Sequence, residues 1–432
     1  MSSFALGLSG VGILLVLLFL RQPVWLALAF IGVVGNMILN SLMSAKFVAG
    51  TTIFDVASNY NLSVIPLFIL MGEIASGSRM SAELFNAARV ILSGLRGGLA
   101  VATIVASGAF GAICGSSVAT AASMTRIAMP EMGKAGYKKS FSAASVAAGG
   151  SLGILIPPSI ILVIYGSITE TSVARLFAAS MIPGIILLLL YVLVAVWIAH
   201  RAGSAPVDQK ASLRERVAAL KEPWQFILLF AVTIGGIYAG IFTPTEAASI
   251  GAFGAILLGF AKRTLNLNGL MEAVRSSVLV ACALFMIILG ATLFSVFVVQ
   301  TRLPDTLLAL AQEAELSVWS VMTIIVLIYI VLGCFLEGIG MVLITVPVFL
   351  PVVVGYGFDP IWFGVLVVVL VELGLISPPV GMNLFIIRAQ TKNLSMPELY
   401  RGIAPFLLAP VALVLLLFLW PAMALWLPEV LY

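Results

Sequence analysis

The chain has 432 residues, 62% of them hydrophobic and 9% charged, with a net charge of +4. Soluble domains carry about 25% charged residues, so this composition excludes a soluble globular protein and points to a polytopic α-helical membrane protein. The three cysteines, Cys114, Cys282 and Cys334, lack CxxC spacing, so neither a disulfide framework nor a metal knot is expected.

At about 20 residues per crossing, the chain has room for roughly a dozen membrane segments. The apolar run 6–20 has no basic stretch before it and no cleavage site, so it reads as a retained span rather than a signal peptide. Spans over 3–20 and 24–43, with the more polar stretch 46–61, make an N-terminal scaffold unit, 1–61. A unit over 62–199 follows. It opens with a span over 62–78 and an amphipathic connector over 81–90 that suits the interface. Its apolar stretch of about 99–132 is interrupted by Gly111-Ala112-Ile113-Cys114-Gly115-Ser116-Ser117. Taken alone, such a cluster is either close helix packing or the tip of a re-entrant hairpin; its place just before the break described next favours the hairpin. A basic loop, a broken segment over 140–167 and a span over 175–199 complete the unit.

The lone histidine, His200, reads as interfacial. In the linker 200–223, Leu213, Val217 and Leu220 recur at helical spacing among Lys210, Arg214, Arg216 and Lys221, as in an amphipathic helix on the bilayer surface. Scaffold helices are expected over 224–262. A second unit over 263–432 then repeats the first: a span at 276–299, a connector at 302–316, a hairpin of about 318–354 with its tip near Glu337-Gly338-Ile339-Gly340, a broken segment over 360–390, and a last span over 402–427.

The two broken segments organise the chain. The first reads Gly153-Ile154-Leu155-Ile156-Pro157-Pro158-Ser159, the second Gly374-Leu375-Ile376-Ser377-Pro378-Pro379-Val380. Consecutive prolines stop a helix and strand the carbonyls one turn earlier, here those of Gly153, Ile154, Gly374 and Leu375. Open backbone at membrane depth is tolerated only beside protein or a water-filled cavity. One constant offset relates Pro130 to Pro351, Gly136 to Gly357, Tyr137 to Phe358, Gly153 to Gly374, Pro157 to Pro378 and Pro158 to Pro379. Repeated halves with matched breaks point to the midplane site of a secondary transporter.

Charge gives the sidedness. With Arg21 in the cytoplasm, all 22 Lys and Arg except Lys46, Arg126, Arg175 and Arg302 fall on the cytoplasmic side. Both termini then face outward and the hairpins open from opposite faces, so the fold is expected to be two inverted repeats.

The motifs Gly115-Ser116-Ser117-Val118-Ala119-Thr120, Ile127-Ala128-Met129-Pro130-Glu131-Met132, the first Pro-Pro segment, and the second Pro-Pro segment continued through Gly381-Met382-Asn383-Leu384-Phe385 resemble the large membrane subunit of TRAP transporters, the DctM-like permeases. The resemblance covers nearly the whole chain. It implies a sodium-coupled importer of organic acids in the bacterial inner membrane, built as a scaffold and an elevator-type transport domain. It also implies a small membrane subunit and a periplasmic substrate-binding protein as partners; no nucleic acid is expected. Arg126 departs from the family, whose members often carry a small residue there, and Leu155 departs likewise before the first Pro-Pro.

Sodium requires oxygen ligands rather than a fixed side-chain charge, so Na+ is the expected coupling ion. One site would combine Ser116 and Ser117 with carbonyls from Gly149 to Gly153; the other would combine Gly338, Gly340 and Thr345 with Gly374 and Ser377. Helix N-termini at Ser159 and Val380 would turn partial positive charge toward a substrate carboxylate, with Asn383 as a donor and Ser116, Arg126 and Glu337 as further contacts. Charges at membrane depth cost ~2.5 to 3.5 kcal/mol on insertion scales, so Glu73, Arg126, Glu337 and Glu372 each need a partner or water. Glu73 reads as a charge near a helix end, and Arg126 as either a structural ion pair or a substrate contact. No HExxH or GxSxG is present, which disfavours an enzyme. A channel, or an organic-anion symporter working without a binding protein, are the alternatives.

Overall fold

The computed structural model describes residues 2–201 and 210–432, and among these the chain is helical with no strand. Helices α1 (Ser3–Phe19), α2 (Val24–Leu39) and α3 (Leu42–Ser58) open it. Ser41 caps α3 by accepting from the Ser44 N–H, so most of the stretch expected to be a polar lead-in is helix. Next come α4 (Val64–Gly77), the amphipathic connector α5 (Met80–Ile91), and a helical pair, α6 (Gly98–Cys114) and α7 (Ser117–Lys134). The pair turns at Gly115, whose φ of 63° is in the left-handed region, where glycine carries no Cβ penalty. The first broken helix is α8 (Lys139–Ser151), a 3-10 turn over Leu152–Ile154, and α9 (Ile160–Thr169); α10 (Val173–Arg201) follows.

Of the linker, 202–209 lie outside the described residues. Beyond them α11 (Leu213–Lys221) carries the expected amphipathic pattern and starts in a capping box between Ser212 and Glu215. Then come α12 (Trp224–Tyr238), α13 (Pro244–Ala261) and the 34-residue α14 (Leu267–Gln300), which begins well before the expected 276. The amphipathic α15 (Leu303–Glu313), the pair α16 (Val318–Gly333) and α17 (Gly338–Gly355), and the second broken helix, α18 (Pro360–Ile376) with α19 (Met382–Gln390), repeat the earlier order. Helices α20 (Met396–Ile403), α21 (Leu408–Leu419) and α22 (Ala422–Leu431) end the chain. The single span expected over 402–427 is therefore divided at Trp420, because Pro421 pushes the residue before it out of the α region.

Among the described residues, six helices, or seven with the bent pair α11–α12, are long and apolar enough to cross a membrane. The remaining apolar helices, including α1, α2, α6, α9, α16, α18 and α22, have 10 to 17 residues. The expectation of about twelve segments came from chain length alone; hairpin limbs and half-helices are cut short by their turns and breaks, and α1, α2 and α22 are short as well.

The two broken helices run antiparallel. At the end of α9, the Tyr165 hydroxyl donates to the Pro360 carbonyl at the start of α18, at 2.6 Å. At the start of α8, the Ser140 carbonyl backs onto Gly402 of α20, just past α19. Each hairpin leads directly into its broken helix, so the two hairpins open toward opposite ends of the molecule. Helix α18, apolar on every side but for Glu372, is buried from Ile361 to Ile376 and forms the centre of the core. Elsewhere, α2 and α14 pack closely through glycines: a Cβ on Gly32 would meet the Leu293 backbone at 2.5 Å, and one on Gly290 would meet the Trp25 carbonyl at the same distance.

Candidate functional site

Each hairpin crosses its broken helix where two glycines let the backbones touch. A Cβ on Gly111 of α6 would lie 2.4 Å from the Gly153 Cα, and a Cβ on Gly374 would lie 2.8 Å from the Gly333 Cα of α16. Only glycine, which has no Cβ, fits at either crossing. Both Pro-Pro bonds, Pro157–Pro158 and Pro378–Pro379, are cis.

At the first crossing the hairpin tip turns its oxygens toward the break. Gly115 faces the Pro158 carbonyl. Ser116 caps α7 through the Ala119 N–H, and its carbonyl accepts from the Thr120 hydroxyl at 2.8 Å. Ser117 accepts from Asn383 Nδ2 of α19 at 2.6 Å, so the tip of the first hairpin is bonded to the second broken helix. Asn383 is fully buried and its Oδ1 has no hydrogen-bond partner. A buried acceptor left open costs ~1–3 kcal/mol, and a hard cation among neutral oxygens removes that cost. The donor set of Ser116, Ser117, Thr120, Asn383 and the nearby carbonyls thus fits sodium.

Other residues expected here sit differently. Ser159 caps α9 by accepting from the Leu162 N–H and donates to the Ile154 carbonyl at 2.5 Å, so one carbonyl expected to be stranded is already engaged. Gly149 lies inside α8, packed on Ile104 and Ser107 of α6. Gly153 is at the crossing itself.

The second crossing is less uniform. Its tip comprises 334–337, earlier than expected, because Gly338 already starts α17 and Gly340 lies within its first turn, facing Val24. The Cys334 thiol donates to the Pro378 carbonyl at 3.3 Å, and the Gly374 carbonyl accepts from the Ser377 N–H at 3.2 Å. The Tyr400 hydroxyl donates to the Pro379 carbonyl. Thr345 is two turns from the tip, tied to the Met341 carbonyl and the Tyr329 hydroxyl at 2.7 and 2.6 Å. Val380 precedes the helix it was expected to begin, since α19 starts at Met382 after Gly381. Glu337 is exposed at the tip.

Beneath the first hairpin, a cavity of about 610 Å³ opens between α4, α7 and the start of α14, at the end of the molecule where that hairpin opens. Its walls include Glu73, Arg79, Arg126 and Glu272. The Ser76 and Ser123 hydroxyls meet across it at 2.9 Å. Arg126 is exposed into this space and forms no ion pair among the described residues, so of its two sequence readings the structural pair is not realised. Glu73 is one turn from the end of α4, as read, but it also lines the cavity. Glu372, by contrast, is fully buried in α18 with both carboxylate oxygens unpartnered.

Sequence reasoning missed Thr120, Ser76, Ser123 and Glu272. A signal existed for two of them. Ser76 follows Glu73, and Arg126 follows Ser123, at the i,i+3 spacing that places polar groups on one helix face.

Comparison with known proteins agrees with this geometry. Residues 11–423 match the family model of the tripartite ATP-independent periplasmic transporter, DctM component. The C4-dicarboxylate TRAP transporter large permease protein DctM of Pseudomonas aeruginosa is 35% identical over 87% of this chain and 88% of its own. The sialic acid TRAP transporter large permease SiaM of Vibrio cholerae is 32% identical over 96% of each chain. The ectoine/5-hydroxyectoine permease UehC of Ruegeria pomeroyi is 32% identical over 96% of this chain and 97% of its own. Among solved structures, the YdaH transporter of Alcanivorax borkumensis superposes with a TM-score of 0.64 at 15% identity, covering 95% of this chain and 99% of that one. With its matched breaks, paired hairpins and a family match running almost end to end, the chain belongs to the DctM component family of tripartite ATP-independent periplasmic transporters and is a transport permease, not an enzyme.

Proposed function

We propose that the chain imports an organic acid anion by sodium symport in the bacterial inner membrane, with both termini periplasmic. It works with a small membrane subunit and receives its substrate from a periplasmic binding protein. The observation that carries this reading is the junction at Asn383 and Ser117, where an unpartnered buried oxygen sits among neutral oxygens beside the N-terminus of α7. Oxygen ligands of this kind suit sodium, and the helix N-terminus suits a carboxylate. The basic-residue bias supports the sidedness. The units 1–61, 62–199, 224–262 and 263–432 are proposed as scaffold and inverted repeats, with the hairpins and broken helices forming the moving part.

Proteoliposomes test the reading. Uptake is expected to require an inward sodium gradient, the small subunit and loaded binding protein together. Uptake that follows a pH gradient without sodium, or runs at full rate with free substrate and this chain alone, would refute it.

A further inference from the structure

The cavity beneath the first hairpin lies where two groups of helices meet. Helix α4 packs along α13 and α14, whereas α7 packs on α8 and α19. The cavity has α4 and the start of α14 on one side and α7 on the other. Among its four charged wall residues, α7 supplies Arg126; Glu73 lies on α4, Arg79 just past its end, and Glu272 on the second turn of α14. None of the four forms an ion pair among the described residues.

Helices α4 and α7 leave the hairpin tip side by side. Gly72 of α4 backs onto the tip, where an added Cβ would lie 3.0 Å from the Cys114 Cα. Farther along both helices the Ser76 and Ser123 hydroxyls meet at 2.9 Å, which sets their register. Glu73 is one turn deeper than this contact, and Arg126 is one turn nearer the mouth. Six residues in all separate their levels, an offset of about 9 Å along the helices. Near the mouth Arg126 shares the cavity with Arg79 and Glu272, one charge of each sign, and water screens all three. Glu73 is half-buried near the level of the tip, where a carboxylate needs water or a cation beside it. A slide of α7 away from the mouth would break the serine contact and replace that water with the Arg126 guanidinium.

We propose that Glu73 and Arg126 are positioning residues of the transport cycle. Unpaired in the state described, they pair once the first hairpin has moved outward along α4 by about two turns, roughly 9 Å, and so draw the empty carrier back to its outward-facing state. This rests on the transporter reading above and adds a charge-driven return step to it. Ile69 lies two turns before Ser76 on the same face of α4, so the moved state brings Ser123 to Ile69.

Two cysteine pairs read the two states with both charges intact. With the native cysteines replaced, Ser76→Cys with Ser123→Cys reports the state described, and Ile69→Cys with Ser123→Cys reports the moved one. In the full chain in nanodiscs, without sodium or substrate, copper phenanthroline is expected to cross-link both pairs, the second one faster. Arg126→Gln should lower the ratio of the second rate to the first about fivefold and slow sodium-driven uptake by the assembled transporter. Arg126→Lys should keep the original ratio. Adding Glu73→Gln to Arg126→Gln should change the ratio no further, because its partner is already gone. An Ile69–Ser123 pair that never cross-links, a ratio that Arg126→Gln leaves unchanged, or effects that add in the double variant would each overturn the proposal and leave the transporter reading standing. The absence of sodium-driven uptake of any acid by the wild-type assembly would remove that reading, and the proposal with it.

Discussion

Asn383 is bonded on one side and open on the other, and the open side is where an ion gains most. Its amide donates to Ser117, and the unpartnered Oδ1 is held in place by that bond. Ser117→Ala leaves the amide nitrogen buried without an acceptor, a loss of ~1–3 kcal/mol. The sodium concentration for half-maximal uptake is expected to rise about tenfold, with insertion and expression unchanged; an unaltered sodium dependence would remove Ser117 from the site. Gly374 allows a sharper test. Its α-hydrogens face the Gly333 backbone, so in Gly374→Val the second hairpin must lift off the broken helix. Transport should fall below detection while the protein still reaches the membrane, and a variant with normal uptake would mean that the crossing tolerates separation. Gly153 and Gly374 were legible as special positions from their equal spacing before the prolines, but the sequence could only suggest free carbonyls. That each glycine faces another, Gly111 or Gly333, is a fact of three dimensions that one chain's order does not encode.

At the scale of elements, the breaks and hairpins were legible because proline and glycine act locally. Pro157, Pro158, Pro378, Pro379 and Gly115 determine backbone shape whatever surrounds them. The second tip was placed too late for the opposite reason. Gly338 and Gly340 look like turn residues, yet Gly340 is small because Val24 packs against it, and tertiary packing sets that position. Glycine serves the same end in the scaffold. In Gly32→Leu the new side chain would collide with the Leu293 backbone of α14, an element that cannot move without disturbing both α2 and α4. Overpacking of this kind costs ~1–3 kcal/mol, so the detergent-solubilised protein should melt several degrees lower. An unchanged melting temperature would show that α2 and α14 are free to separate.

For the molecule as a whole, composition decided the class, because bilayer insertion depends on summed hydropathy, and the proposed sidedness rests on where lysine and arginine collect. The cavity was not legible, since it arises where α4, α7 and α14 converge from distant parts of the chain. The antiparallel run of the broken helices makes the sidedness testable. With the native cysteines replaced, single cysteines at Lys138 and Asp359 should be labelled from opposite faces of the membrane by an impermeant maleimide. Labelling from one face would contradict the charge-derived arrangement.

The bond between Ser117 and Asn383 also bears on fidelity. One partner belongs to each half of the chain, so an ion and cargo bound there, as proposed, would occupy a junction that neither half can form alone. A crossing made with the junction half filled would leave buried polar atoms exposed to one another without a ligand, which holds such crossings to a low frequency. Asn383→Ala removes that check. The variant should spend the sodium gradient without accumulating cargo, and the ratio of sodium entered to acid delivered, measured in the same vesicles, should rise above its wild-type value.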